Sequence, residues 1–239
     1  ARHGAEIMAN FGALTDHFNL AASIGTLVES SKTPVANSRA DALDENGDIA
    51  DAAWYGNTDG DLYEASCTYQ VDTTDVTVAT ALTLGELSTG VVVTSIEIST
   101  SNGDWPRVTV SGTLGTGALE QGKTYAMPTG TVKAKKQAQI IAGITLTSGK
   151  LTSASLSASC DLATATDGEG EPVAHGVSGA VATATAEAVA ITAESPVLEA
   201  DSGWNITTGS ALNEPQAAWH TGSISVEKPL PVTIAAPAV

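Results

Sequence analysis

Basic residues are scarce in this sequence: 10 Lys and Arg stand against 27 Asp and Glu, a formal net charge of −17 over 239 residues. Binding to nucleic acid through its phosphates needs clustered Lys and Arg, so the balance argues against that mode. It argues against adhesion to anionic membranes on the same ground. Aromatics are also scarce, at 4%, and charged residues of either sign reach only 15%. With 42% hydrophobic residues there is material for a core, but it is mostly Ala and Val. Such a core is thin for its length, and association with other chains would bury more surface. There are two cysteines, Cys67 and Cys160, with no CxxC and no Cys/His cluster, which argues against a zinc site. Buried free thiols are the default reading, and a disulfide between them stays open. No run approaches the roughly 18 apolar residues of a membrane span. Residues 1–10 hold no continuous apolar core, so no secretory signal is expected there.

What the chain does have is a sorted distribution of charge. Residues 41–64 contain eight carboxylates and no Lys or Arg: Asp41, Asp44, Glu45, Asp48, Asp51, Asp59, Asp61 and Glu64. Residues 123–150 contain five of the ten basic residues and no carboxylate: Lys123, Lys133, Lys135, Lys136 and Lys150. A molecule with one acidic and one basic surface can stack on copies of itself. Solubility alone also accounts for a strong negative balance.

The patterning is mainly β. Val92, Thr94, Ile96 and Ile98 alternate with Val93, Ser95, Glu97 and Ser99 before Asn102-Gly103, and Val108 and Val110 alternate with Arg107, Thr109 and Ser111 after it. Two alternating runs around Asn-Gly predict a hairpin. A second hairpin is expected from 139–146 and 151–162 around Ser148-Gly149. From Ala180 to Ala190 every second residue is Ala, with Val, Thr and Glu between. Ala favours helix, but the strict period of two predicts a strand over 177–191. Residues 1–31 differ: Ile7, Phe11, Leu14 and Phe18, followed by Ala21 or Ala22, recur at helical spacing. The expected organisation is one β domain over 1–239. Residues 1–32 form an N-terminal arm or short helix, 33–228 a β core with long hairpins, and 229–239 a loose tail. The expected fold is a β-sandwich or half-barrel with at most one or two short helices.

No catalytic motif survives its context. Asp44, Asn46 and Asp48, and again Asn57, Asp59 and Asp61, match the first alternating ligands of a calcium loop. The twelfth positions are Tyr55 and Thr68, not Glu, so solvated acidic turns are the better reading. Residues 117–124 fit the phosphate-loop spacing GxxxxGK[ST], but Pro128 and Gly130 follow too soon for the helix that loop requires. The four histidines, His3, His17, His175 and His220, are scattered, and no GxSxG-type nucleophile signature occurs. Neither a cofactor nor a metal is implied. Trp54, Trp204 and Trp219 would be the platform of a carbohydrate-binding or hydrolytic β-sandwich.

The long alternating strands, the distinct N-terminal segment and the hairpins with acidic turns such as 167–171 together resemble the major tail-tube proteins of tailed bacteriophages. The resemblance implies a virion structural protein without catalysis, assembled in the host cytoplasm. It implies hexameric rings stacked head-to-tail, with strands joining those of neighbours in a continuous barrel. DNA would pass the acidic lumen without specific binding, and the partners would be copies of the chain and other virion proteins. The alternatives are a capsid decoration or accessory head or tail protein and, less favoured, the secreted carbohydrate-binding module.

Overall fold

The computed structural model describes residues 14–36, 38–55, 62–72, 76–77, 82–116, 119, 122–134, 136–166, 172–190, 195–213 and 219–234. One helical turn, α1 (Ala21–Ile24), precedes β1 (Thr26–Pro34), β2 (Ser38–Leu43), β3 (Ile49–Tyr55) and β4 (Tyr63–Gln70). Then come β5 (Val76–Thr77), β6 (Thr83–Ser88), β7 (Val91–Ser101), β8 (Arg107–Leu114), β9 (Lys123–Ala126) and β10 (Thr131–Val132). The chain continues through β11 (Ile144–Ser148), β12 (Lys150–Thr166), β13 (Pro172–Val189), β14 (Val197–Ala200), β15 (Asn205–Asn213), β16 (Thr221–Pro229) and β17 (Val232–Ile234). The fold is mainly β and antiparallel throughout, as the alternation predicts, and no barrel closes among the described residues.

Eight strands form one continuous path, β1-β4-β8-β7-β12-β13-β16-β15. Strands β6, β9 and β17 branch from it at the start of β7, and the pairs β10-β5, β11-β14 and β2-β3 stand apart. The register carries single rows of residues across all eight strands. Leu27, Tyr69, Val108, Ile98, Leu156, Ala184, Val226 and Ile206 are successive partners. This row is apolar, and all of it except the two edge residues is buried. Partner residues share a face because side chains alternate along each strand. One face of the path therefore faces the core, where Cys67, Ile96, Val110 and Ala182 also lie.

The predicted Asn102-Gly103 hairpin is present as β7 and β8, with Gly103 at φ 89°, the left-handed turn position that favours Gly. The alanine-alternating strand is present and longer than expected. β13 runs 18 residues, and Ala180, Ala182, Ala184, Ala186, Ala188 and Ala190 are all buried. A bulge shifts its alternation: Ser159 pairs with Val181, but Asp161 pairs with Ser178. The extra residue lies at Gly179, φ 68°, so His175 and Val177 are buried before it and the even-numbered alanines after it.

Three expectations need correction. The second hairpin does not form as such. β11 pairs with β14 and β12 pairs with β7 and β13, because the chain turns over at Gly149, φ 98°, against Pro196. The described part of the expected N-terminal helix, from residue 14 on, is helical only at α1, and β1 opens at Thr26, inside the expected arm. Asn19 has φ 54°, a left-handed break, while Phe18 and Ile24 anchor residues 14–24 in the chain's own core. The Asp16 carboxylate holds that segment by accepting from the Phe18 and Ala21 backbone N–H groups and from the Tyr69 hydroxyl. Ile7 and Phe11 lie outside the described residues. Finally, part of the expected loose tail is a strand: β17 pairs with β9, seated by buried Leu230 after the stop at Pro229.

Candidate functional site

The sheet has two ends. At the lower end lie Thr26, Gln70, Arg107, Ser101 and Ser153, and at the upper end Pro34, Tyr63, Leu114 and Val91. Beyond the upper end the chain leaves β1 and forms the β2-β3 hairpin, which pairs only with itself among the described residues. Every residue from 41 to 50 is exposed. Asp41, Asp44, Glu45 and Asp48 therefore ride on a projecting arm, and its tip also exposes Leu43 and Ile49, which are register partners. Asp44 builds the turn: its Oδ1 accepts from the Asn46 and Asp48 backbone N–H groups at 2.8 and 2.9 Å. Those hydrogen bonds, from Asp48 first, hold its carboxyl below the usual carboxylate range. Asp51 lies in β3, and Glu64 is exposed in β4 at the upper end. Asp59 and Asp61 lie outside the described residues.

Of the basic block 123–150, all the described lysines but one gather at the other end, while Lys32 in β1, Arg39 in β2 and Lys228 in β16 lie away from it. Lys133 and Lys136 lie in the connection from β10 to β11, which packs on the Asn102-Gly103 turn. There the Gly103 N–H donates to the Lys136 carbonyl at 3.1 Å, and the Ala138 N–H donates to Asn102 Oδ1 at 3.0 Å. Lys150 opens β12 beside the same turn, where Asn102 Nδ2 donates to the Leu151 carbonyl at 2.9 Å. All three lysines are exposed, and Lys136 Nζ stands 5.7 Å from the Trp105 ring. Arg107 adds a cation at this end, while Asp72 and Asp104 add exposed carboxylates. Lys135 lies outside the described residues. Lys123 does not join them. It lies in β9 beside Thr164 and His175, on the part of the β12-β13 hairpin that runs past the upper end.

The polar face of the eight-stranded path is the feature that composition hides. One row runs Glu29, Thr68, Thr109, Glu97, Ser157, Thr183, Glu227 and Asn205. The next row toward the upper end begins with five serines on adjacent strands: Ser31, Ser66, Ser111, Ser95 and Ser159. Neighbouring hydroxyls tie the strands together, Ser111 to Ser66 at 3.0 Å, Thr68 to Thr109 at 3.1 Å and Ser155 to Thr185 at 2.6 Å. The charges on these rows are Glu29, Glu97 and Glu227. Arg107 is a row partner of Ser99 one step lower, and Glu187 pairs with Ser153 further on. In the sequence, the signal is the run of Ser at positions 153, 155, 157 and 159 facing Ser95, Ser99 and Ser101.

The motifs set aside on sequence grounds can be placed as well. At Lys123 of the phosphate-loop spacing a strand begins, not a helix, so backbone N–H groups are not fanned toward a phosphate there. The imidazole of His175 is buried against Thr164 Oγ1, with Nδ1 at 3.1 Å, and burial lowers its pKa. Both cysteines are free. Burial, then the charge of Asp161, pushes the Cys160 thiol up to about 11. Trp204 borders a hollow of about 550 Å³ with Met127, Ile140, Asp201, Lys228 and Leu230. One side of its ring is covered by Gly143, where a Cβ would stand 2.7 Å from the indole. Trp219 is 65% exposed and lies just before Thr221 at the lower end, so the two rings share no platform. A comparison with known protein families and with curated proteins finds no match.

Proposed function

We propose that the chain is a self-assembling structural subunit of a phage tail tube, in which stacked rings enclose an acidic conduit for DNA. The observation that carries this reading is the opposition of charge along the strands. The acidic β2-β3 arm leaves one end of the sheet, and Lys133, Lys136 and Lys150 cluster at the other. A contact between unlike ends is heterologous and does not close, so it propagates into a stack. The complementarity sets polarity and register more than raw affinity.

The polar face supports the conduit. It offers Ser and Thr hydroxyls and glutamates in ordered rows, a surface that neither grips bases nor attracts phosphate. A ring of six copies at −17 each would carry −102 formal charges. The role is structural and non-catalytic, in the virion, with other copies and other virion proteins as partners and DNA as passing cargo. Electron microscopy of the purified protein tests it. Tubes or rings are expected. A monodisperse monomer over a wide range of protein and salt concentration would refute it. A capsid decoration protein would bind empty capsids and not itself, and mixing with capsids separates that alternative.

A further inference from the structure

Asn-Gly occurs twice in the chain, at Asn46-Gly47 in the β2-β3 turn and at Asn102-Gly103 in the β7-β8 turn. This dipeptide is open to attack by the backbone on its own side chain, because Gly has no Cβ to shield its nitrogen. Both turns are exposed, and a Cβ at Gly47 or Gly103 would meet nothing within 4 Å. Exposure therefore does not distinguish the two, but their hydrogen bonds do. Asn102-Gly103 is stitched to two other segments. The Asn102 N–H donates to the Thr152 carbonyl at 3.0 Å and its Nδ2 to the Leu151 carbonyl at 2.9 Å. Its Oδ1 accepts from the Ala138 N–H at 3.0 Å, and the Gly103 N–H donates to the Lys136 carbonyl at 3.1 Å. The side-chain amide and the nitrogen that would attack it are both held in place. At Asn46-Gly47 the bonds run inside the turn. The Asn46 N–H donates to Asp44 Oδ1 at 2.8 Å, and its side chain also hydrogen-bonds the Asp44 carboxylate. The Gly47 N–H donates to the Asp44 carbonyl at 3.1 Å. The two strands that carry this turn pair only with each other among the described residues. A lone two-stranded hairpin is marginal in water, so its turn opens readily, whereas the β7-β8 turn opens only with the segments packed on it.

We infer that Asn46 is a site of spontaneous deamidation and that the fold protects Asn102 from it. The Gly47 nitrogen gives its proton to hydroxide and attacks Cγ of Asn46. The Cγ–Nδ2 bond breaks, the leaving nitrogen takes a proton from water and departs as ammonia, and a five-membered succinimide remains. Water then opens the ring. Cleavage at the side-chain carbonyl leaves an aspartate at position 46. Cleavage at the backbone carbonyl leaves an isoaspartate, with one extra carbon in the main chain. Either product turns an amide into a carboxylate, so the arm gains a negative charge beside Asp44, Glu45 and Asp48. The isoaspartate also displaces the N–H that Asp44 accepts from, which loosens the turn. The reaction belongs to the single chain and holds whatever that chain assembles into.

The test is peptide mapping by mass spectrometry after the full chain is kept in heavy-oxygen water at mildly alkaline pH. Each deamidated residue takes up one heavy oxygen. Label is expected at position 46, in both aspartyl and isoaspartyl peptides, at a rate that rises with hydroxide concentration. Position 102 should label at least about 10-fold more slowly, because its bonds to other segments must open first. In urea that protection is lost, and the two positions should label at similar rates. Asn46→Gln is the variant, since a longer side chain needs a less favourable six-membered ring. It should keep its fold by circular dichroism and lose the early label. Equal labelling of the two positions in the folded chain, or faster labelling at 102, overturns the inference. So does a folded chain that stays unlabelled at 46 over the time in which the urea-unfolded chain labels there.

Discussion

Reversing the three exposed lysines of the lower end, Lys133→Glu, Lys136→Glu and Lys150→Glu together, tests the stacking contact directly. All three side chains are exposed, so the fold should tolerate the change. An exposed ion pair contributes about 0.5 kcal/mol, so three pairs with the arm of the next ring give about 1.5 kcal/mol per contact. Reversal turns attraction into repulsion of similar size, a difference of about 3 kcal/mol, or roughly 100-fold in association. The assay is the protein concentration above which assemblies sediment, measured at low salt. It should rise about 100-fold, with an unchanged circular dichroism spectrum and melting temperature. Raising salt to 1 M shortens the Debye length to about 3 Å, so the unmodified protein should lose about 10-fold under the same assay. Rescue gives the sharpest check. Glu45→Lys and Asp48→Lys in the same chain should restore assembly, with Asp44 kept because its carboxylate forms the turn. Unchanged assembly by the triple variant would refute the charge argument.

Three further outcomes follow from packing. Tyr69→Phe removes the hydroxyl that donates to Asp16, and a hydrogen bond to a carboxylate is worth about 2 kcal/mol. Burial pushes the Asp16 pKa up, but the Tyr69 hydroxyl and three backbone N–H groups outweigh it, and the net shift is down from 3.8. A lowered folded-state pKa adds stability above pH 3.8 that is lost as pH falls through the folded value. The melting-temperature gap between Tyr69→Phe and the parent should therefore be widest near neutral pH and narrow in acid. Ala184→Leu should cost about 1–3 kcal/mol in denaturant unfolding, because Ala184 is 1% exposed between Leu156 and Val226. Gly112→Ala should cost at least as much, since its Cβ would stand 2.0 Å from the Val92 carbonyl oxygen.

The strands were legible wherever hydrophobic alternation was clean, as in β7, β8 and β13, because one face of each is buried and the period records it. The pairing of strands was not. Nothing in 139–162 says that β11 turns away to β14, since the decision rests on Gly149 meeting Pro196 from 47 positions further on. The charge sorting was visible as two blocks, yet a block is not a surface. Topology places Lys133, Lys136 and Lys150 together and removes Lys123, because β9 pairs with β6 and β17 and not with the lower end. Of the serine rows only the alternation at 153, 155, 157 and 159 was legible, for a related reason. Ser66, Ser111, Ser95 and Ser159 are ordinary alternates within their strands, and only the register makes them a line.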